Sequence, residues 1–302
     1  MRRTRTTLAA LAVLTCSLAG AQPAPGRLTV GVYAPSVELG TAQQRLAYAQ
    51  SLAKAIEQAT GIKTDAQVYA NVGALETDKV DFAVLDAACV ATHGGWRLLA
   101  NAQIGGATTR AYALYASTGA DMQALRGKKL AYVQTGCDDA GFVDNAMLES
   151  EVDAGFFAGR AGKPDLTAAV AEVASYKAAQ AVFAPAGAAK GLTKVFDTAP
   201  VPTPGFVHLG SKLPVDVVDK VGAAVVGFGG GGTIGGWTKP AREPYTALRA
   251  RLGKLGKAGI LAVPDPVKLD AMDVLIEPPT LHDTALVDVR HHFVRPPDAR
   301  LE

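Results

Sequence analysis

Cysteine is scarce in this chain: Cys16, Cys89 and Cys137 are the only three in 302 residues. That is too few for a disulfide scaffold, and no two stand in the C-x-x-C spacing of a zinc module. Aromatic residues are 6% of the chain, which argues against the stacking platforms that hold single-stranded nucleic acid. Neither sign of charge is in excess. With 30 Lys+Arg against 28 Asp+Glu, the formal charge of +2 excludes a strongly basic nucleic-acid binder. After the first residues, no window reaches 18 uninterrupted apolar residues, so a membrane-spanning helix is not expected there. The G-x-S-x-G elbow and the H-E-x-x-H helix are both missing, and with them the sequence signatures of serine-hydrolase and zinc-peptidase chemistry. What is plentiful is apolar surface. Hydrophobic residues are 49% and charged ones 19%, enough for a real core and contrary to disorder. The length fits one large or two medium domains.

The first residues read as an address. Met1-Arg2-Arg3-Thr4-Arg5 is a positive n-region, Leu8 to Leu18 a short apolar stretch, and Ala19-Gly20-Ala21 a small-residue cleavage site. This is the pattern of a secretory signal over residues 1–21, cut after Ala21, with a periplasmic or secreted destination. The apolar stretch falls short of the ~20 residues that span a bilayer. Cys16 raises a lipoprotein reading, but Thr15 stands where a small Gly or Ala is usual. Losing Arg2, Arg3 and Arg5 takes the formal charge from +2 to −1, so the basicity belongs to the leader.

Gln22 to Gly26 is a short linker, and Leu28–Tyr33 is strand-like, closed by Pro35. Thr41 and Gln44 form a capping-box pair, followed by Leu46, Ala49, Leu52, Ala53 and Ile56 at helical spacing and a Gly61 stop. Further strands are expected at Thr64–Tyr69, Val80–Leu85, Arg97–Ala100 and Ala111–Tyr115, the second apolar enough to be buried on both faces. A second unit begins near Ser117. It holds a strand at Leu130–Val133, a helix over about 140–150, a helix at Asp165–Ala179 and a short strand at Ala181–Ala184. Pro200, Pro202 and Pro204 are expected to break regular structure before Phe206-Val207-His208. Helices follow at Pro214–Val226 and Pro244–Leu255, and Gly259–Val263 reads as a closing segment. Strands alternating with helices predict an α/β fold with largely parallel sheets.

Four stretches together resemble the periplasmic solute-binding proteins of ABC transporters, of type 2 topology, and most of all their phosphate/phosphonate-type branch. They are Leu28-Thr29-Val30-Gly31-Val32-Tyr33-Ala34-Pro35, Val80-Asp81-Phe82-Ala83-Val84-Leu85-Asp86-Ala87-Ala88, Leu125-Arg126-Gly127-Lys128-Lys129-Leu130-Ala131, and Gly205-Phe206-Val207-His208-Leu209-Gly210-Ser211-Lys212-Leu213-Pro214. The likeness covers roughly residues 27–277. It implies a two-lobed fold: lobe one over 22–116 and 206–279, lobe two over 117–205, and a C-terminal tail over 280–302. It also implies a monomer that captures a small solute by hinge closure and delivers it to a membrane permease, with no catalysis, no cofactor and no nucleic acid. Hinge crossings are expected near Tyr115–Gly119 and Pro202–Phe206.

Ligands of open α/β sheets sit beyond the carboxyl ends of strands. That places the binding residues at Tyr33 and Ser36, at Asp86-Ala87-Ala88, and at Thr135-Gly136-Cys137-Asp138-Asp139. The phosphonate-type branch usually opens its lobe-two helix with Ser/Thr residues around an anion. Carboxylates at 86, 138 and 139 would repel phosphate, which points to a cationic or amine-bearing ligand. The plainer reading is that Asp138 and Asp139 cap the helix. Cys89 and Cys137 stand at these turns, one per lobe. They admit three readings: a disulfide that would lock the cleft shut, a metal site with Asp86 and Asp138, or two small buried thiols.

Other candidates carry less. His291-His292 lacks metal-ligand partners, and His93 follows a helix start as a structural or solvent-facing residue. The glycine run at 227–232 matches no phosphate loop, because Thr233 is not preceded by Lys. Trp237 and Tyr245 read as core, and Lys128 and Lys129 as a solvated turn. Two other functions stay open: a divergent member with a degenerate pocket that binds protein or acts as a sensor, and an exported enzyme using the cleft carboxylates.

Overall fold

The computed structural model describes residues 26–117, 121–149, 152, 155–210 and 212–253. The leader with Cys16, residue 119 of the first expected crossing, the segment Gly259–Val263, the pair His291-His292 and the tail over 280–302 lie outside them.

The chain opens with β1 (Leu28–Tyr33), α1 (Ala42–Thr60), β2 (Thr64–Val68), α2 (Val72–Thr77), β3 (Phe82–Leu85), α3 (Ala87–Thr92) and β4 (Arg97–Gln103). It continues through β5 (Thr109–Ala116), β6 (Lys129–Val133), α4 (Asp139–Gly141), β7 (Gly159–Lys163), α5 (Leu166–Ala174), β8 (Ala181–Pro185) and β9 (Thr193–Pro202). It closes with β10 (Gly205–His208), α6 (Val215–Val226), β11 (Gly236–Thr238) and α7 (Glu243–Leu252). A π-helical stretch, Phe142–Met147, extends α4.

Two sheets result, one per lobe. The first has the order β11-β4-β10-β3-β1-β2 and the second β7-β6-β8-β5-β9. β1 runs parallel to β2 and β3, and β6 parallel to β7 and β8. The strands that reverse beside them arrive from the other lobe: β10 is antiparallel to β3 and β4, and β5 to β8 and β9. The fold is the expected two-lobed α/β class.

α1 shows how the sequence writes its own boundaries. Thr41 accepts the Gln44 N–H, Gln44 Oε1 accepts the Thr41 N–H at 2.7 Å, and Gly61 stops the helix at φ 72°. The helix buries Tyr48, Ala49, Leu52, Ala53 and Ile56, a stripe at helical spacing. Each fully buried Leu or Ile contributes roughly 1.5–3 kcal/mol. One apolar cluster lies between the two sheets and joins them, including Leu85, Cys89, Leu114, Leu130, Cys137, Phe183 and Tyr245. Two others cover the outer faces, around Leu52, Phe82 and Phe206 in lobe one and around Ala113, Leu166 and Val182 in lobe two.

Two readings of the sequence need correction. Strand 109–116 belongs to the second sheet, not to lobe one, so the first crossing falls between Gln103 and Thr109 rather than at Tyr115–Gly119. Gly105 and Gly106, both at positive φ, make the turn there. The prolines do not break the chain either. β9 runs on through Pro200 to Pro202, which is tolerated because β9 is an edge strand. The second crossing is Thr203-Pro204, within the expected Pro202–Phe206 segment.

The crossings are pinned to each other. Thr203 N donates to the Thr108 carbonyl at 3.0 Å, and the Ala102 N–H donates to the Pro204 carbonyl at 2.9 Å. The Thr203 hydroxyl donates to Ala102 O at 2.6 Å. Beneath them, Asn101 is 1% exposed and fully engaged. Its Nδ2 donates to Tyr245 Oη at 3.0 Å and to Ala241 O at 3.2 Å, and its Oδ1 accepts the Ala241 N–H at 2.7 Å. Tyr245 in turn donates to Thr203 O at 2.9 Å. Asn101→Ala removes these three hydrogen bonds, one of them to the buried Tyr245 hydroxyl, so a loss of about 2 kcal/mol in unfolding free energy is expected, read by urea denaturation.

Candidate functional site

The carboxyl ends of β1 and β3 build the lobe-one wall. The chain turns sharply after Tyr33, and that turn is held by the carboxylate at the end of β3. Asp86 Oδ2 accepts the Ser36 N–H at 3.0 Å, and Oδ1 accepts the Ser36 hydroxyl. Arg110 Nη1 donates to the Ser36 carbonyl at 3.4 Å. Asp86 is 2% exposed and makes no cap bond to α3. Burial pushes its pKa up to about 6, against the opposing pull of the Ser36 hydrogen bonds and the Arg110 charge.

The lobe-two wall is the turn after β6. Asp139 Oδ1 accepts the Thr135 N–H and the Thr135 hydroxyl, both at 2.8 Å, and Oδ2 accepts the Gly136 N–H at 3.0 Å. Asp138, at φ 58°, caps α4 by accepting the Gly141 N–H at 3.1 Å. Both carboxylates therefore serve their own loop, Asp138 in the capping role that is the plainer reading.

The two walls are fastened together. Cys89 on α3 and Cys137 after β6 form a disulfide with Cα atoms 5.0 Å apart. Of the three readings of these cysteines, the bridge is the one realised, and bonded sulfurs are not available as thiolate ligands to a metal. Beside the bridge, the Tyr33 hydroxyl donates to the Thr135 carbonyl at 3.0 Å. What remains between the walls is a cavity of about 30 Å³, room for roughly one water. Ser36, Asp86, Ala87, Ala88 and Thr135 of the expected set do line it. So do Tyr112, Tyr132, Phe142 and Phe183, which the sequence reading missed. Tyr112 and Phe183 sit inside β5 and β8, where burial patterning alone does not tell a cavity wall from core.

Tyr33 also faces outward, into an open groove along the same seam. A recess of about 280 Å³ there is lined by Tyr33, Pro35, Arg45, Tyr69 and Asp165, among others. A second, of about 570 Å³, lies across Leu39, Arg45 and Asp165 toward Tyr176. Both lobes contribute to both recesses. The Leu166 N–H donates to the Pro35 carbonyl at 3.1 Å on this side. His93 stacks on Trp96 with ring centroids 3.9 Å apart, and its Nδ1 lies 2.9 Å from the Cys89 carbonyl at the end of α3. Trp237 and Tyr245 are core residues. Among the described residues no cluster of three or more His, Cys, Asp or Glu side chains is placed to hold a metal, and no helix is long and apolar enough to cross a membrane.

No protein-family model matches the chain, and no curated protein sequence matches it. Solved structures do resemble it in fold. XAC2383 from Xanthomonas citri bound to ATP aligns over 76% of this chain and 97% of its own, at 13% identity and a TM-score of 0.57. A binding protein component of an ABC phosphonate transporter from Pseudomonas aeruginosa aligns over 74% and 84%, at 14% identity and 0.57. PhnD1 from Prochlorococcus marinus in complex with methylphosphonate aligns over 74% and 96%, at 12% identity and 0.55. The shared property at these identities is the two-lobed binding-protein fold.

Two outcomes are expected from the strand-tip contacts. The bridge closes a loop with a sequence separation of 48. The double variant Cys89→Ser, Cys137→Ser should therefore lose about 4 kcal/mol on the chain-entropy model, measured by denaturant titration of the full chain. Asp86 binds its proton more tightly folded than unfolded, so stability should fall as pH rises from about 4 to about 6. Asp86→Asn should flatten that segment of the profile, a difference on the order of 3 kcal/mol in thermal or urea melts.

Proposed function

We propose that this chain is an exported, non-catalytic binding protein that holds a small-molecule ligand at the seam between its lobes and presents it to the membrane permease of an ABC transporter. The observation that carries the reading is the seam itself. Strand carboxyl ends from both sheets meet there, where α/β folds bind ligands, and open recesses of about 280 and 570 Å³ lie beside it. Three further points support it. The fold is that of binding proteins, the Cys89–Cys137 bridge fits an oxidising compartment outside the cytosol, and residues 1–21 read as a cleavable leader.

The mode of capture differs from a swinging clamp. With the strand tips joined covalently and only about 30 Å³ between them, the bridged lobes do not part around a solute. Binding belongs instead to the preformed outer groove. The protein is accordingly expected to take up ligand with little change in dimensions, unlike hinge-closing relatives of the same architecture.

Native mass spectrometry of protein gently isolated from the exported fraction tests this reading. A mature chain beginning at Gln22, bridged, and carrying a small molecule is the expected species. A chain that keeps its leader in the cytosol and carries nothing under any gentle isolation would overturn it.

A further inference from the structure

The groove beside the bridge has a chemical preference of its own, set by Arg45. This residue stands in the first turns of α1 and reaches across the seam to Asp165 of lobe two. The pairing is loose: Nη1 is 3.8 Å from Asp165 Oδ2, beyond hydrogen-bond distance, with both side chains one-third exposed. Asp165 is already in use, since its Oδ1 accepts the Ala168 N–H at 2.8 Å as the cap of α5. Arg45 Nε is buried and has no hydrogen-bond partner among the described residues. Nε is shielded from solvent, so a ligand in the recess meets the exposed third of the side chain, whose loose pairing with Asp165 leaves it able to donate.

The surroundings say what kind of molecule carries that oxygen. The smaller recess is walled by Val32, Pro35, Leu39 and Val68 and by the rings of Tyr33 and Tyr69. Arg45 and Asp165 are its only charged residues, and Glu38 enters only the larger recess beyond them. Both α1 and α5 begin at this seam, so the positive ends of two helices, one from each lobe, lie beside the guanidinium. A carboxylate is the acceptor that the exposed guanidinium N–H groups match best, through charge-assisted bonds. A dianion would face Asp165 with no second cation to offset it. From these points we infer that the recess beside Arg45 takes a small monocarboxylate whose apolar body lies against Tyr33 and Tyr69. The inference rests on the binding-protein reading above and names the ligand class of that seam.

Benzoate is a suitable probe, titrated into the bridged full chain with calorimetry and with amide chemical shifts of Tyr69, Ala70 and Asp165 as readouts. Saturable shifts at those amides are expected, with benzamide and benzylamine at least tenfold weaker. Arg45→Gln should weaken benzoate by about tenfold or more, the size of a charge-assisted contact. Asp165→Asn keeps a cap acceptor and removes the competing charge, so it should tighten benzoate about threefold. The inference is overturned if benzoate gives no saturable shift, if benzylamine matches it, or if Arg45→Gln binds it unchanged. The wild-type shifts locate the site without depending on any variant. The two failures separate cleanly. A retained molecule in the mass spectrum with no benzoate response removes the ligand class and leaves the binding protein. An unexported, empty chain removes the binding protein itself.

Discussion

The covalent joint between Cys89 and Cys137 is the constraint from which the rest of the molecule's arrangement follows. It ties the first turn of α3 to the turn after β6, the two places where an open α/β fold would receive a ligand. Once those turns are held together, the polar groups buried between them must find partners inside the protein. They do so: Asp86 is taken up by Ser36, Asp139 by Thr135 and Gly136, and the Tyr33 hydroxyl by the Thr135 carbonyl. The aromatic side chains behind them fill most of what is left. A strand-tip cleft that served as the ligand seat would keep polar groups in reserve for the ligand. Here they are spent on the loops themselves, and the apolar cluster runs from one sheet to the other without a break.

The same logic explains the crossing region. Two chain segments pass between lobes, hydrogen-bonded to each other through Thr203 and Pro204, over a buried Asn101 whose amide serves the backbone before α7. Buried amides are tolerated when every donor and acceptor is matched, and a fully matched network favours one arrangement over its neighbours. A flexible hinge would be built from groups that can exchange partners with water. Asn101, Thr203 and Tyr245 are all buried, so the crossing is stiff as well.

Much of this was legible in the residues, and what was not has identifiable causes. The capping box at Thr41 and Gln44, the stripe through Ile56 and the stop at Gly61 are local signals, and the helix obeys them. The apolar run ending at Leu85 is a strand for the reason its composition gives, burial on both faces. Strand pairing is not local, however. Nothing within 109–116 says that its partners are β8 and β9, so its lobe was misread although Gly105 and Gly106 marked the crossing. Nor does a proline announce whether its strand lies at an edge, and Pro200 and Pro202 stay in β9 because it does. Topology alone put Ser36, Asp86 and Thr135 at strand ends, and there they line the small cavity. Capping, the plainer reading of Asp138, is what it does, whereas Asp139 turning back onto Thr135 and Gly136 was not legible, because a carboxylate that caps and one that holds its own loop are written with the same letter.

Arg45 left no mark in the sequence at all, and the reason bears on how such a seam works. It sits in a helix whose capping signals draw attention to Thr41 and Gln44, and an arginine there reads as an ordinary solvated residue. Its meaning arises only when lobe two brings Asp165 to within 3.8 Å. That pairing is held in place from both sides by other obligations, α1 by its buried stripe and Asp165 by the α5 cap. The two charges therefore meet across the seam without either having been placed there for the other. The loose pair and the groove around it thus arise from the assembly of the two halves and belong to neither alone, which is why no local pattern in the sequence announces them.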